Sequence, residues 1–304
     1  MNWQTLRFLA WTSILIVNMH VSAQSFPAEQ FGWYDVGGYK LYLQCDGPSR
    51  APTVVLLGGL APSGVFGVVS YDVARFTRVC VFDTAGVGMS DPSPRVTDGR
   101  QRAEELHRVL VTAKVTGPLV LVGYEYGAQL ARLYADLHPS GVRAVILVNP
   151  LPEGLWEKLH VTLANILRSG EMDAWDARRE LQRLTERLAA VRDDAAALTA
   201  NWNVQAGERQ LRQARPLKAM PLVVITPGQD VRSYYGERAR LPSGSLRLTQ
   251  ILGEQQRTMA RLSSAGRQVV SQRAWFSIPE QDPALVVSVI RQVVGALRAN
   301  VDER

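Results

Sequence analysis

The segment LVLVGYEYGAQLARLYADLHP, residues 119–139, constrains the fold more than any other part of the sequence. Its first four residues are apolar and end at Gly123, and after Gly127 the apolar residues recur with helical spacing until Pro139. Because glycine lets backbone segments approach closely, this spacing predicts a sharp turn from a buried strand into a helix. Glu125 is expected at the apex of that turn.

The same alternation of short apolar runs and helical stretches continues along the chain. FGWYDVGGYKLYLQCDG predicts two strands joined at Gly37 and Gly38, and Asp282 before Pro283 predicts the N-cap of a last helix. The pattern indicates an α/β fold, with a mostly parallel central sheet and helices on both faces. Further strands are expected in the apolar runs TVVLL, RVCVF, VRAVILV and PLVVIT.

Residues 152–215 interrupt this alternation, because they carry helical periodicity and no strand signal. Amphipathic helices are expected around residues 155–166 and 181–191. Parallel sheets place ligands at the carboxyl ends of their strands, where this insert would lie as a helical lid. The core is therefore expected in two parts, residues 24–151 and residues 216–304.

The first residues, MNWQTLRFLAWTSILIVNMHVSAQSF, have the pattern of a cleavable signal peptide. Arg7 precedes a short apolar stretch, and small residues end at Ala23, so residues 1–23 are expected to be removed. The alternative is a membrane anchor, but the stretch is shorter than the roughly 20 apolar residues that span a bilayer. We expect an exported protein, periplasmic or secreted, with no stable membrane insertion after cleavage.

Charge and cysteine content narrow the partners and the compartment. The chain of 304 residues carries a formal net charge of +6, but its arginines are scattered rather than clustered with aromatic residues. We therefore expect no nucleic-acid partner.

Cys45 and Cys80 both lie in expected strands, and they could pair in an oxidising compartment if those strands are neighbours. The alternative is two buried free thiols.

Two segments carry a resemblance to a known family. TRVCVFDTAGVGMSDPSP (residues 77–94) and ELHRVLVTAKVTGPLVLVGYEYGAQLARLYADLHPSGVRAVILVNP (residues 105–150) resemble the α/β-hydrolase superfamily, and in particular its exported esterase-like branch. The likeness is dense over residues 34–150 and returns at PLVVIT and in the last helix. It implies the α/β-hydrolase fold with a helical lid.

The resemblance also implies a role for particular positions. Glu125 stands at the nucleophile position of the strand-to-helix turn, between the turn glycines Gly123 and Gly127, where the family carries serine. Asp230 stands at the acid position, and Trp275 stands where the family carries its catalytic histidine. The backbone amides of Leu60 and Tyr126 stand at the positions that bind the oxyanion.

Replacement of both the serine and the histidine leaves three hypotheses. The first is a non-hydrolytic pseudoenzyme or a binder of a small hydrophobic molecule, with Glu125 paired to Arg273 or Arg232. The second is an enzyme that uses Glu125 as general base or nucleophile on a small hydrophobic ester-like substrate. The third is an esterase that recruits His160 from the lid. We expect no cofactor, and Glu125 and Asp230 without nearby histidine or cysteine make a poor metal site.

Overall fold

The structure, a computed structural model, describes residues 30–154, 201–229 and 244–302, together with the isolated positions 161, 165, 168 and 182. A single sheet of eight strands organises these residues, in the order β1-β2-β4-β3-β5-β6-β7-β8. The strands are β1 (Gln30–Asp35), β2 (Lys40–Asp46), β3 (Thr53–Leu57), β4 (Val79–Phe82), β5 (Leu119–Tyr124), β6 (Val142–Val148), β7 (Leu222–Pro227) and β8 (Gly266–Ser271).

The sheet is antiparallel at one edge and parallel elsewhere. β1 pairs antiparallel with β2, and β2 pairs antiparallel with β4, whereas every remaining pair is parallel. The turn between β1 and β2 uses Gly37 and Gly38 at φ 116° and 97°, a region that only glycine adopts readily. The carboxylate of Asp35 accepts hydrogen bonds from both glycine amides. The predicted hairpin is therefore confirmed.

Seven α-helices accompany these strands in the described ranges. The helix α2 begins with a capping box. The carboxylate of Asp98 accepts a hydrogen bond from the backbone amide of Gln101 at 2.9 Å, and the side-chain oxygen of Gln101 accepts one from the backbone amide of Asp98. The helices are α1 (Gly67–Ala74), α2 (Gly99–Thr112), α3 (Tyr126–Leu137), α4 (Val204–Gln213), α5 (Gly244–Met259), α6 (Ile278–Gln281) and α7 (Pro283–Asp302).

Two apolar clusters lie on opposite faces of the sheet. One contains the inward-facing residues of α2 and α3, and the other contains those of α1 and α7. The central strands β3 and β5 are buried at every residue, since they are covered on both faces. The predicted α/β architecture, with a mostly parallel sheet between two layers of helices, is confirmed.

Cys45 and Cys80 form a disulfide. They lie directly opposite each other on the antiparallel strands β2 and β4, with their Cα atoms 4.0 Å apart. Both are buried within the sheet. The sequence left two alternatives, a disulfide and two free thiols, and the structure contains the disulfide.

The structure describes only part of the predicted lid and none of the predicted signal peptide. Residues 1–23 lie outside the described residues, as do both amphipathic helices expected within the lid apart from the isolated positions 161, 165 and 182, and the domain boundaries stay a prediction. The described end of the predicted lid contains α4, which packs against α2 and α3. Trp202 before it is fully buried, 6.3 Å from the ring of Tyr126. In the described parts of the chain, no helix combines the length and apolarity needed to cross a membrane.

Candidate active site

The turn between β5 and α3 has the close packing that the two glycines predict. A Cβ atom on Gly123 would lie 2.3 Å from the carbonyl oxygen of Gly127, and one on Gly127 would lie 1.8 Å from that of Leu57. Neither position can hold a side chain without moving backbone. Between them Glu125 adopts φ 48° and ψ −112°, a strained conformation for a residue with a Cβ. The chain therefore retains a strained strand-to-helix turn that presents Glu125.

Backbone hydrogen bonds hold Glu125 in this conformation. Its amide donates to the carbonyl of Val148 at the end of β6, 3.1 Å away, and its carbonyl accepts from the amide of Ala128 at 3.0 Å. The turn is thus fixed both to the neighbouring strand and to the first turn of α3. Strain of this kind persists only where the surrounding structure over-determines it, as it does here.

The side chain of Glu125 is partly buried at the start of α3. It makes no capping hydrogen bond to the first turn of α3, so it does not occupy the helix amides. Burial raises the pKa of Glu125 to about 7, and a hydrogen bond from the Tyr124 side chain offsets only part of that rise. The group is therefore poised to exchange a proton near neutral pH.

Tyr124 connects this carboxyl group to the loop before the last helices. It is buried, and its ring meets that of Phe66 edge-on at a centroid distance of 6.5 Å. The side chain of Ser277 offsets part of the rise in the pKa of this phenol, and the Ser277 hydroxyl donates to Glu280 at 2.5 Å. Burial, and then the charge of Glu125, raise the pKa of Tyr124, which keeps the phenol protonated as a donor.

The loop after β3 lies against the backbone of the turn. Gly59 has φ 69°, and a Cβ there would lie 2.2 Å from the amide nitrogen of Gly127. The hydroxyl of Thr84 donates to the carbonyl of Gly59 at 2.5 Å and holds the loop in place. The structure therefore brings Leu60 next to Tyr126 in space. Their role as oxyanion donors stays a prediction.

Trp275 lies in the loop between β8 and α6, where its backbone is well anchored. The side-chain oxygen of Gln281 accepts from the amides of Trp275 and Phe276, each at 3.1 Å. Ser271 accepts from the amide of Ala274 and donates to Asp282 at 2.7 Å. Asp282 directly precedes α7, and its carboxylate fixes this loop through the hydrogen bond that it accepts from Ser271. Trp275 itself, the residue predicted at the base position, carries a partly buried indole that cannot accept a proton.

A buried polar pair beneath this loop was missed by the sequence analysis. Asn149 directly follows β6 and has φ 44°; its side chain donates to the carbonyl of Phe276 at 3.2 Å and accepts from Gln256 at 2.9 Å. Gln256 also donates to the carbonyl of Pro150 at 2.9 Å. Asparagine adopts positive φ more readily than most residues. The Asn149-Pro150 pair directly after a buried strand was therefore the sequence signal that could have indicated Asn149, one member of this polar pair.

The remaining sequence-predicted partners of Glu125 either form no ion pair with it among the described residues or lie outside those residues. Asp230, Arg232 and His160 belong to the second group, although Gln229, next to Asp230, donates to the carbonyl of Ala274 at 3.0 Å. Arg273 is exposed, and among the residues that can be described it forms no ion pair with Glu125.

Two histidines lie at the opposite end of the helix that begins at the turn. His107 and His138 stack with ring centroids 3.8 Å apart, and His138 lies 3.3 Å from the carboxylate of Glu104. Burial and the neighbouring His138 lower the pKa of His107. The 12 residues of α3 extend about 18 Å, so neither ring can serve as a base for Glu125.

The described residues contain no group of three or more histidine, cysteine, aspartate or glutamate side chains placed to hold a metal ion. The chemistry available at this site is therefore that of one carboxyl group with a raised pKa, one neutral phenol, and backbone amides near the start of α3.

Comparison with known proteins places the chain in a family. The alpha/beta hydrolase fold family matches residues 52–205, which is half of the chain. The protein belongs to the α/β-hydrolase fold family, and the match includes β3 and the turn at Glu125 and ends at the start of α4.

Individual relatives match shorter parts or show only the fold. Polyketide synthase ThaQ of Burkholderia thailandensis is 35% identical over 103 residues, which cover 34% of this chain and 5% of ThaQ. A cis-3-alkyl-4-alkyloxetan-2-one decarboxylase of Xanthomonas campestris is 26% identical over 192 residues, 57% of this chain and 64% of that protein. The chain thus spans less than two thirds of either relative.

Among solved structures, a putative lipase of Acinetobacter baumannii superposes with a TM-score of 0.60 at 16% identity. The superposition covers 90% of this chain and 93% of the lipase. At that identity the likeness establishes the fold and leaves the chemistry to the site itself.

Proposed function

We propose that this protein is a non-hydrolytic member of its family. It would bind a small hydrophobic molecule at the carboxyl ends of the parallel strands, next to Glu125. The observation that carries the proposal is the position of a partly buried Glu125 at the apex of an intact strained turn. A serine hydrolase needs a hydroxyl nucleophile and an imidazole base within hydrogen-bond reach. Here the apex holds a carboxyl group, and burial raises its pKa to about 7.

The loop at the base position supports the same conclusion. Trp275 and Phe276 stand there with ring centroids 5.7 Å apart, and Phe276 is about half exposed at 47%. Aromatic side chains offer a large apolar surface and no proton acceptor for ester hydrolysis. A hydrophobic ligand bound against this surface would be held without being cleaved.

Turnover of short and medium p-nitrophenyl esters by the purified mature chain tests the proposal. We expect rates equal to the uncatalysed background for the wild type and for Glu125→Gln. A second pair of variants, Glu125→Ser and Glu125→Ser/Trp275→His, asks whether the turn still supports the family chemistry. Hydrolysis by the wild type that disappears in Glu125→Gln would show that Glu125 is a working catalytic group.

Ligand binding is measured separately from turnover. A non-hydrolysable apolar probe should quench the fluorescence of Trp275 in the wild type, and Trp275→Phe should lose that signal while retaining affinity. Trp33→Phe, a change to an exposed indole on β1, is the matched control. Absence of any quenching with probes of several chain lengths would refute the binding function.

A specific observation also favours a second candidate, which is proton transfer by Glu125. A carboxyl group with a pKa of about 7 next to a neutral tyrosine resembles a general base with its matching acid. Such an activity would require Glu125 ionised, rise with pH through about 7, and fall strongly in both Glu125→Gln and Tyr124→Phe. Esters or lactones with an apolar chain are the substrates to screen.

We further propose that the chain is exported, with residues 1–23 removed as a signal peptide. The pattern of those residues and the buried disulfide both fit an oxidising compartment. Fractionation of producing cells, with N-terminal sequencing of the mature chain, should find Gln24 first. Recovery of the intact chain in the cytoplasm with reduced thiols would contradict export.

A further inference from the structure

A cleft separate from the turn lies on the side of α3 that faces α4. It has a volume of about 390 Å³ and is formed by α3, α4, the segment that follows α4, and the short helical turn at residues 260–262. Among the described residues that line it there are four arginines and a single carboxylate, that of Glu153. The arginines are Arg132, Arg212, Arg215 and Arg261.

Two of these guanidinium groups are held in place by carboxylates. Arg132 is buried and bonds to Glu153. Arg215 donates from Nε to the carboxylate of Asp136 at 3.0 Å and from its terminal nitrogen to the carbonyl of the same residue. Burial alone would raise the pKa of Asp136, but the bonds from Arg215 and the charge of Arg100 lower it. Asp136 is therefore an anion that orients Arg215 before any ligand arrives.

The other two guanidinium groups carry charge that the described part of the chain does not neutralise. Arg212 and Arg261 are exposed, and no carboxylate of the described residues forms an ion pair with either of them. Arg212 lies in the last turn of α4, and Arg261 lies in the turn after α5. The cleft thus has an excess of positive charge that a dianion balances better than a monoanion does.

The floor of the cleft is apolar. Leu211 is buried, and Leu217 and Leu262 are partly buried against the same core cluster. A ligand that fills the cleft would therefore carry its charge at one end and an apolar group at the other. Arginine forks match phosphate oxygens in a bidentate manner, and a phosphate monoester carries close to two negative charges at neutral pH.

We propose that this cleft binds a small organic phosphate monoester, with the phosphate between Arg212, Arg215 and Arg261 and the apolar group against Leu211 and Leu217. The site is independent of Glu125, so the proposal does not depend on the function proposed for the turn. Because the attraction is electrostatic and exposed to solvent, binding should weaken as salt concentration rises.

Calorimetric titration of the full mature chain with hexyl phosphate tests the proposal. Inorganic phosphate and hexanoate are the comparison ligands, since the first lacks the apolar group and the second lacks the dianion. We expect hexyl phosphate to bind more tightly than either, and Arg212→Gln and Arg261→Gln each to weaken it about 10-fold. Arg209→Gln, an exposed arginine of α4 outside the cleft, is the matched control and should leave binding unchanged.

Each alternative result would overturn a stated part of the proposal. If inorganic phosphate binds as tightly as hexyl phosphate, the proposed apolar contact is wrong. If hexanoate binds as tightly as hexyl phosphate, the proposed preference for phosphate is wrong. An equal loss in Arg209→Gln would show nonspecific attraction to a basic surface. No binding of hexyl phosphate at about 5 mM, in variants and wild type with unchanged melting temperatures, would refute the site.

Discussion

Replacement of Glu125 by glutamine should make the protein more stable above neutral pH and change it little in acid. In the folded protein burial raises the pKa of Glu125 to about 7, whereas the unfolded carboxyl titrates near its ordinary value of 4.5. Between these values the folded state holds a proton that the unfolded state has released. The free energy of unfolding of the wild type therefore falls as pH rises through this window.

The magnitude follows from the difference between those two pKa values. At about 1.4 kcal/mol per pH unit, the loss is below about 1 kcal/mol at pH 5 and reaches about 3 kcal/mol above pH 7. Glutamine has nearly the same shape and can keep a hydrogen bond with Tyr124, but it carries no charge to desolvate. The variant should therefore exceed the wild type by about 3 kcal/mol at pH 8, which corresponds to roughly 6–12 °C in melting temperature for a chain of this size.

Urea denaturation of both proteins from pH 4.5 to pH 8.5, with the disulfide intact, measures the difference directly. Glu254→Gln, a change to an exposed carboxylate of α5, is the control and should give a small difference at every pH. A difference between Glu125→Gln and wild type that stays constant across this pH range would refute the argument that burial raises the pKa of Glu125.

Three further predictions concern the scaffold around the site. Gly127→Ala should lower the free energy of unfolding by about 3 kcal/mol or more because its Cβ would overlap the carbonyl of Leu57, whereas Gly295→Ala on the open face of α7 should raise it by about 0.5–1 kcal/mol. Urea midpoints of the two variants decide this, and a shift of the same sign in both would contradict it. Replacing Cys45 and Cys80 by alanine should cost about 4 kcal/mol, since the disulfide closes a loop across a sequence separation of 35. Calorimetry of the double variant, compared with reduced wild type, should give similar melting temperatures, and a melting temperature equal to that of the oxidised wild type would refute the loop argument. Asp98→Ala should cost about 1 kcal/mol through loss of the α2 cap, with no loss expected in Asp98→Asn.

The periodic parts of the sequence predicted their structure well. Every strand that was expected from an apolar run is present, and so is the hairpin at Gly37 and Gly38. The short helices α1 and α6 were not predicted, because one turn or two of helix leaves too few residues for a 3.6-residue pattern to show.

The candidate site was predictable only as positions in the chain. The sequence located Glu125 between two glycines, and the close approach of Gly59 to Gly127 explains why small residues occupy both loops. Of the two arginines expected to pair with Glu125, Arg232 lies outside the described residues, and Arg273 is exposed to solvent and forms no ion pair with it among the described residues.

By itself the sequence determined the sheet, its helical layers and the turn, because hydrophobic periodicity and glycine spacing are local properties that one segment expresses alone. Only the tertiary structure decided what surrounds Glu125: the phenol of Tyr124, the Ser277 loop, and the burial that raises its pKa. Likewise, the arginine cleft joins residues of α3 and α4 with Arg261 from the turn after α5. Burial and charge balance depend on contacts between segments distant in the chain, so no local pattern records them.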